Sequence, residues 1–226
     1  MMTESLMAEI EGKTFFTEDM LFNGRKGTDA LFTVALIIES VILAAYVVLT
    51  TCFFSCVIVS GSSMFPTLTD GDVLVMNVRA APDYGSIIVI DGEKSVYDKT
   101  GGLSYEWIIK RVIAKGGDVV DINGGDVYLK KAGETDFIKL DEPYLAKSGI
   151  TVGGDRISYP FTVPQGEIFF LGDNRTVSKD SRSEFGTCKT EQVAGVVQPW
   201  AVKTKGFLTF VNGAATKIKN KLTGAE

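Results

Sequence analysis

The chain has 226 residues, enough for one large domain or a medium one with extras, and its apolar content of 45% can build a core. A net charge of −5 leaves no basic face for nucleic acid. There is no histidine, which excludes Ser-His and Cys-His nucleophile pairs and histidine-based zinc sites; a general base has to be Lys, Asp, Glu, Tyr or an amino terminus.

Residues 1–29 form an acidic tail. From residue 30 to 59 the only charge is Glu39, and from 40 to 69 there is none. Residues 40–59 alone, at about 1.5 Å each, cross a hydrocarbon core of roughly 30 Å. The sequence therefore predicts a transmembrane anchor over residues 30–59. A cleaved signal peptide would carry a shorter apolar core, about 7–15 residues. Cys52 and Cys56 read as apolar filler in this run, and Cys188 stands alone beyond it, with no CxxC pair. Arg25 and Lys26 precede the run, and the first basic residue after it is Arg79. Basic residues favour the cytoplasmic side, so the tail is expected inside and residue 70 onward outside.

Beyond the span, residues 72–78, 86–90, 107–114, 126–130, 167–171 and 192–197 are dense in Val, Ile, Phe and Tyr, and Gly, Asp and Pro break them. No helical period is sustained between residues 70 and 202. The prediction is an all-β, mostly antiparallel domain over 60–202. The Gly- and charge-rich stretch near 116–165 reads as an insertion between two denser parts. The tail 203–226 has five lysines (Lys203, Lys205, Lys217, Lys219 and Lys221) among Phe207, Leu208, Phe210, Val211, Ile218 and Leu222. It could lie on an anionic membrane surface. Gly206 and Gly213 would interrupt a helix, which favours a solvated tail.

Three segments carry chemistry. The first is Val59-Ser-Gly-Ser-Ser-Met-Phe-Pro-Thr-Leu68. A serine nucleophile needs a fixed backbone and a nearby amide for the oxyanion, and here Gly61 permits close approach while Pro66 stiffens the turn. Alone, it is an ordinary polar loop. The second is Trp107-Ile-Ile-Lys-Arg-Val112. Strand alternation puts Lys110 on one face with Ile108 and Val112, where burial would disfavour the ammonium and create a base. The bland alternative is a snorkelling lysine. The third, Leu171-Gly-Asp-Asn-Arg-Thr-Val-Ser-Lys-Asp-Ser-Arg-Ser-Glu-Phe-Gly186, packs Asp173, Arg175, Asp180 and Arg182 into ten residues. It reads as an ion-pair lattice bracing a loop, or as a solvated loop.

Taken together, SGxSMxPT, IKRV and GDNRxxSxDSR, in that order after one N-terminal span, resemble the type I signal peptidase family from about residue 39 to 200. The resemblance implies a β-rich catalytic core with an inserted second domain. It implies that Ser63, not Ser62, is the nucleophile and Lys110 the base. Ser178 would orient the lysine, and Gly172, Asp173, Asp180 and Arg182 would support the site. The pattern is closer to the Gram-positive form. Where the Gram-negative form has a serine that helps hold the oxyanion, this chain has Gly61, which leaves the Ser63 amide as the donor. Where members often have Gly-Asp, it reads Gly85-Ser86. The eukaryotic-type branch, with histidine for the lysine, is excluded.

The expected reaction is hydrolysis through an acyl-enzyme on Ser63, with neutral Lys110 taking and returning the proton and no metal or cofactor. The substrates would be secretory precursors at the outer face of the lipid bilayer. Val59, Met64, Phe65 and Ile109 could build shallow pockets for small side chains, or be plain core. Two alternatives are a self-cleaving, repressor-type Ser-Lys peptidase and an inactive membrane-anchored binding module. The span and acidic balance oppose the first, and the intact Ser63, Lys110 and Ser178 oppose the second.

Overall fold

The apolar run does not stay helical to its end. A computed structural model describes residues 18–91, 107–183 and 185–223. The acidic tail up to residue 17 and the last three residues of the basic tail lie outside these. Helix α1 covers Glu18–Phe53, of which Asp29–Phe53 is long and apolar enough to span a bilayer. Within that stretch Leu31, Phe32, Ile37, Ile42 and Tyr46 are all exposed, as side chains facing lipid would be. The anchor read from the sequence over 30–59 is therefore too long by six residues at its C-terminal end. Phe54–Ile58 leaves the helix and becomes strand β1. The reason is a partner: β1 pairs antiparallel with β2 (Val73–Asn77), from Phe54 opposite Asn77 to Ile58 opposite Val73. Composition alone cannot separate a membrane helix from an apolar strand that follows it directly.

The residues from Cys52 onward form one compact unit. After β1 and β2 come β3 (Ile87–Asp91), β4 (Trp107–Lys115), β5 (Val119–Asn123), β6 (Asp126–Lys130), β7 (Ile138–Lys139), β8 (Phe161–Thr162), β9 (Glu167–Leu171), β10 (Cys188–Lys189) and β11 (Val193–Val197). Two helices follow, α2 (Pro199–Lys203) and α3 (Lys205–Thr223). Every pairing is antiparallel. One sheet has the order β1-β2-β11-β3-β4-β9-β10 and the other β7-β6-β5-β8.

The second sheet lies between β4 and β9 in the chain, where the sequence suggested an insertion. It is not a separate body. Val120, Val127, Leu129 and Val163 share one buried cluster with Ile113, Ala114, Phe169 and Leu171 of the larger sheet. The register between β4 and β9 slips between Val112 and Ala114, which marks a bulge. Val112 belongs to a different cluster, with Ile88, Ile108, Ile168 and Phe170. From the bulge on, the consecutive residues Ile113 and Ala114 both belong to the cluster shared with the second sheet.

The C-terminal tail is also corrected: residues 205–223 are helical through Gly206 and Gly213. Each glycine costs a helix about 1 kcal/mol relative to alanine, and tertiary contacts can offset that. Here Lys205 Nζ reaches Asp72 at 2.7 Å and the Thr67 carbonyl at 3.0 Å, and the Val73 N–H donates to Thr209 Oγ1 at 3.0 Å.

Candidate active site

Ser63 lies in the turn linking β1 to β2. The turn is closed at its base by Val59 and Asp72, whose N–H···O bond is 2.9 Å. Gly61 has φ +84°, a conformation that L side chains rarely adopt, and its N–H donates to Asp70 Oδ1 at 2.8 Å. This is a local reason for glycine where the Gram-negative pattern has serine. Met64 and Leu68 anchor the turn from below in a buried cluster with Val59, Leu74 and Met76.

Lys110 approaches from β4. Its Nζ donates to Ser63 Oγ at 2.9 Å and to the Ile109 carbonyl at 3.0 Å. The side-chain alternation is as the sequence suggested, with Ile108 and Val112 in one cluster and Ile109 against another. Lys110 is only 5% exposed, and it pairs with no carboxylate among the described residues. Burial pulls its pKa down to about 8, and the negative fields of Asp180 and then Asp173 restrain the fall. Arg111, the next residue of the strand, is also buried but is not left without a carboxylate. Its charge is neutralised by Asp173, with Nε to Oδ1 at 2.8 Å and Nη2 to Oδ2 at 2.6 Å.

The third segment folds as a loop after β9 and clamps the serine turn. The Asn174 N–H donates to the Ser63 carbonyl at 2.9 Å, and Asn174 Nδ2 donates to the Ser62 carbonyl at 3.1 Å. Thr67 Oγ1 donates to Asp173 Oδ2 at 2.5 Å. Thus one carboxylate ties β4, the serine turn and the loop. Asp180 accepts the Gly172 N–H at 3.0 Å and Arg182 Nε at 2.8 Å. Arg182 Nη2 donates back to the Arg175 carbonyl at 2.8 Å. Arg175 in turn binds the Glu142 carboxylate and, at 2.6 Å, Thr151 Oγ1. All these charged groups except the half-buried Glu142 are buried, and each is paired, the condition under which a buried ion can be tolerated.

Gly172 is a point of close approach. A Cβ there would lie 2.1 Å from Ser178 Oγ and 2.5 Å from the Ser63 carbonyl oxygen. Only glycine lets the loop lie this close to the serine turn. Ser178 is thereby brought beside the site, but its hydroxyl makes no hydrogen bond among the described residues, with Lys110 or any other group. The Ser63 N–H likewise donates to no described group, so it is available to an incoming oxyanion.

A cleft of about 1070 Å³ opens at Ser63 and Lys110. Its walls include Cys56, Ile58, Val59, Met64, Ile109 and Val177. Of the four pocket residues suggested by sequence, Val59, Met64 and Ile109 line it, the first two mostly as core, whereas Phe65 is 48% exposed and is not part of the lining. Sequence reasoning missed Arg111 as the partner of Asp173, as well as Thr67, Asn174, Glu142 and Thr151. The basic residue next to Lys110 was one available signal; Glu142 and Thr151 offered none, lying 33 and 24 residues from their partner Arg175.

Fold and site together define a class: an all-antiparallel β protein, preceded by an apolar helix, whose cleft holds a serine hydroxyl in contact with a desolvated lysine. The profile of the signal peptidase family, peptidase S26, matches residues 31–201. A signal peptidase I of Bacillus licheniformis is 34% identical over 200 residues, covering 83% of this chain and 92% of the relative. Signal peptidase I T of Bacillus subtilis strain 168 is 34% identical over 151 residues, covering 61% and 68%. A crystallised signal peptidase I from Enterococcus faecalis superposes with a TM-score of 0.41 at 26% identity, over 53% of this chain and 98% of that one. The chain belongs to the signal peptidase family. Its activity is that of a signal peptidase I, a serine endopeptidase that cleaves signal peptides from secreted precursors.

Proposed function

We propose that the cleavage runs through a Ser63–Lys110 dyad and a covalent acyl-enzyme. The observation that carries this reading is the 2.9 Å contact from Lys110 Nζ to Ser63 Oγ, made by a lysine whose pKa is about 8. A neutral amine at that distance takes the hydroxyl proton as Oγ attacks the scissile carbonyl. The C–N bond then breaks, and the ammonium returns its proton to the leaving amine. Water, deprotonated by the same amine, adds to the ester and frees Ser63. The unengaged Ser63 N–H is the oxyanion donor. Ser178, whose buried hydroxyl makes no hydrogen bond to Lys110 here, keeps a positioning role only as the family resemblance implies it, and Gly172, Asp173, Asp180 and Arg182 hold the loop that shapes the site.

The cleft also suits an extended substrate. β1 is an edge strand of its sheet, and β4 from Trp107 to Lys110 lies beyond the last residue paired with β9. Both offer unpaired backbone to a peptide added as a strand. Val59 and Ile109, on the cleft wall, leave shallow space for small side chains at the cleaved bond.

Topology follows from charge. Arg25 and Lys26 before the span, against no basic residue until Arg79 after it, favour a cytoplasmic N-terminus and an extracytoplasmic catalytic unit. Strand β1 starts at Phe54, directly after the helix, which tethers the catalytic unit to the membrane that precursors cross. The direct test is purified protein with a secretory precursor, scored for cleavage after a small residue. Wild type should release the mature protein and Ser63→Ala should not. Equal cleavage by both would sink the dyad.

A further inference from the structure

Helix α3 is docked the wrong way round for a helix that belongs only to its own domain. The side chains that hold it are polar: Lys205 on Asp72 and Thr67, and Thr209 on the Val73 amide. Lys205 and Thr209 are four residues apart and share a face. Phe207, Phe210, Val211 and Ala214 follow the i, i+3, i+4, i+7 spacing of a different face. That face is turned outward at its first three positions, with Phe207 68% exposed, Phe210 72% and Val211 45%, while Ala214 is half-buried. A helix packed on a sheet normally buries this stripe. Here the domain supplies no apolar surface for it among the described residues. One turn further on, Lys217 and Lys219 are exposed on the same helix.

From this we propose that the apolar face of α3 lies in the interfacial layer of an anionic bilayer, with Lys217 and Lys219 at the level of the lipid phosphates. The pattern is that of an interfacial helix: aromatic side chains for the acyl boundary, ammonium groups at the headgroups and no run long enough to span. Charge complementarity selects the lipid surface over a second copy of this chain, whose net charge is −5 but whose copy of the stripe would bring the same lysines together. The span tethers the catalytic unit at a membrane in any case, so α3 meets lipid at high local concentration. The inference rests on the reading of Asp29–Phe53 as a membrane anchor. It adds a second, interfacial attachment that limits how the cleft can turn relative to the bilayer.

The test uses the full chain in vesicles of phosphatidylethanolamine and phosphatidylglycerol. A photoreactive benzoylphenylalanine is placed in turn at Phe210, at Asn212 on another face of α3, and at Ile42 in the span. Mass spectrometry identifies what each probe captures. The expected result is lipid adduct at Phe210 well above that at Asn212. It should fall by roughly fivefold for each of Lys217→Gln and Lys219→Gln, and likewise in vesicles of phosphatidylcholine alone. Capture of a second copy of the chain at Phe210, equal lipid capture at Phe210 and Asn212, or no lipid at Phe210 would overturn the inference. The Ile42 probe separates the two readings. Lipid at Ile42 without lipid at Phe210 removes the α3 contact alone, and no lipid at either removes the anchor with it.

Discussion

Lys110 and Arg111 are neighbours on one strand, both buried and both basic, and they meet opposite environments. Arg111 faces a bidentate carboxylate, the Gly85 carbonyl at 2.7 Å and the ring of Tyr144 at 3.9 Å. Lys110 faces Ile108, Val112, a serine hydroxyl and a carbonyl. The arginine cannot lose its proton, so the fold must compensate its charge. The lysine can, so the fold need not. One strand thus carries a paired cation and, on the mechanism proposed, a base at adjacent positions. The difference lies in which face has a carboxylate, because Asp173 and Asp180 reach Lys110 only as distant fields.

The comparison can be broken first on the Lys110 face. Lys110→Met, similar in length but unable to take a proton, should lower kcat/KM by at least about 10²-fold while leaving the thermal transition in place. Ser63→Ala should cost more, about 10⁴-fold or beyond, and Ser62→Ala little. Precursor cleavage by folded variants decides this, and a dead Ser62→Ala beside an active Ser63→Ala would move the nucleophile. On the other face the loss should be of stability. Arg111→Met leaves the Asp173 carboxylate buried and unpaired, at a cost of about 3–5 kcal/mol read from denaturant unfolding. A variant as stable as wild type would show that the pair contributes nothing net.

Smaller effects sharpen the picture. Gly172→Ala has to push Ser178 or the serine turn aside, so activity should fall more than stability does. Ser178→Ala removes a hydroxyl that holds no hydrogen bond, so its stability should change by less than about 1 kcal/mol. Its activity should fall by less than that of Lys110→Met. If both Ser178→Ala readouts match wild type, Ser178 has no positioning role.

Much of this was legible from residues. All six strands expected from sequence occur within a residue or two of their places, because runs such as Ile87–Asp91 and Glu167–Leu171 bury almost every position. The meeting of Ser63 and Lys110 was readable as motif and became geometry through strand pairing. Three features were not legible. β1 hides inside an apolar run because its identity depends on β2, some 20 residues away. β5 hides between glycines in a stretch that reads as loop, and only its pairing with β6 makes it a strand. Helix α3 contains two glycines, and its stability depends on Asp72 and Thr67, which lie far away in sequence. For β1 and α3 the deciding contact is long-range, whereas β5 pairs with its neighbour across the two-glycine turn at Gly124 and Gly125. The ion pairs of the 172–182 loop divide the same way: Asp180 with Arg182 is local and was visible as charge density, whereas Glu142 with Arg175 was not.

The central claim is that Lys110 is a base because it is dry. The most direct measurement is kcat/KM against pH with a secretory precursor. Groups of the free enzyme set this profile, and with no histidine in the chain no unperturbed side chain titrates near 6.5. The depressed lysine is charged and inactive below its pKa and neutral above it, so the rate should rise with pH through a midpoint near 8. Asp180→Asn, which removes the larger of the two fields that favour the ammonium, should move that midpoint to lower pH. A wild-type midpoint at the ordinary lysine value of 10.5, or a rate flat from neutral pH upward, would contradict a desolvated Lys110 as the base.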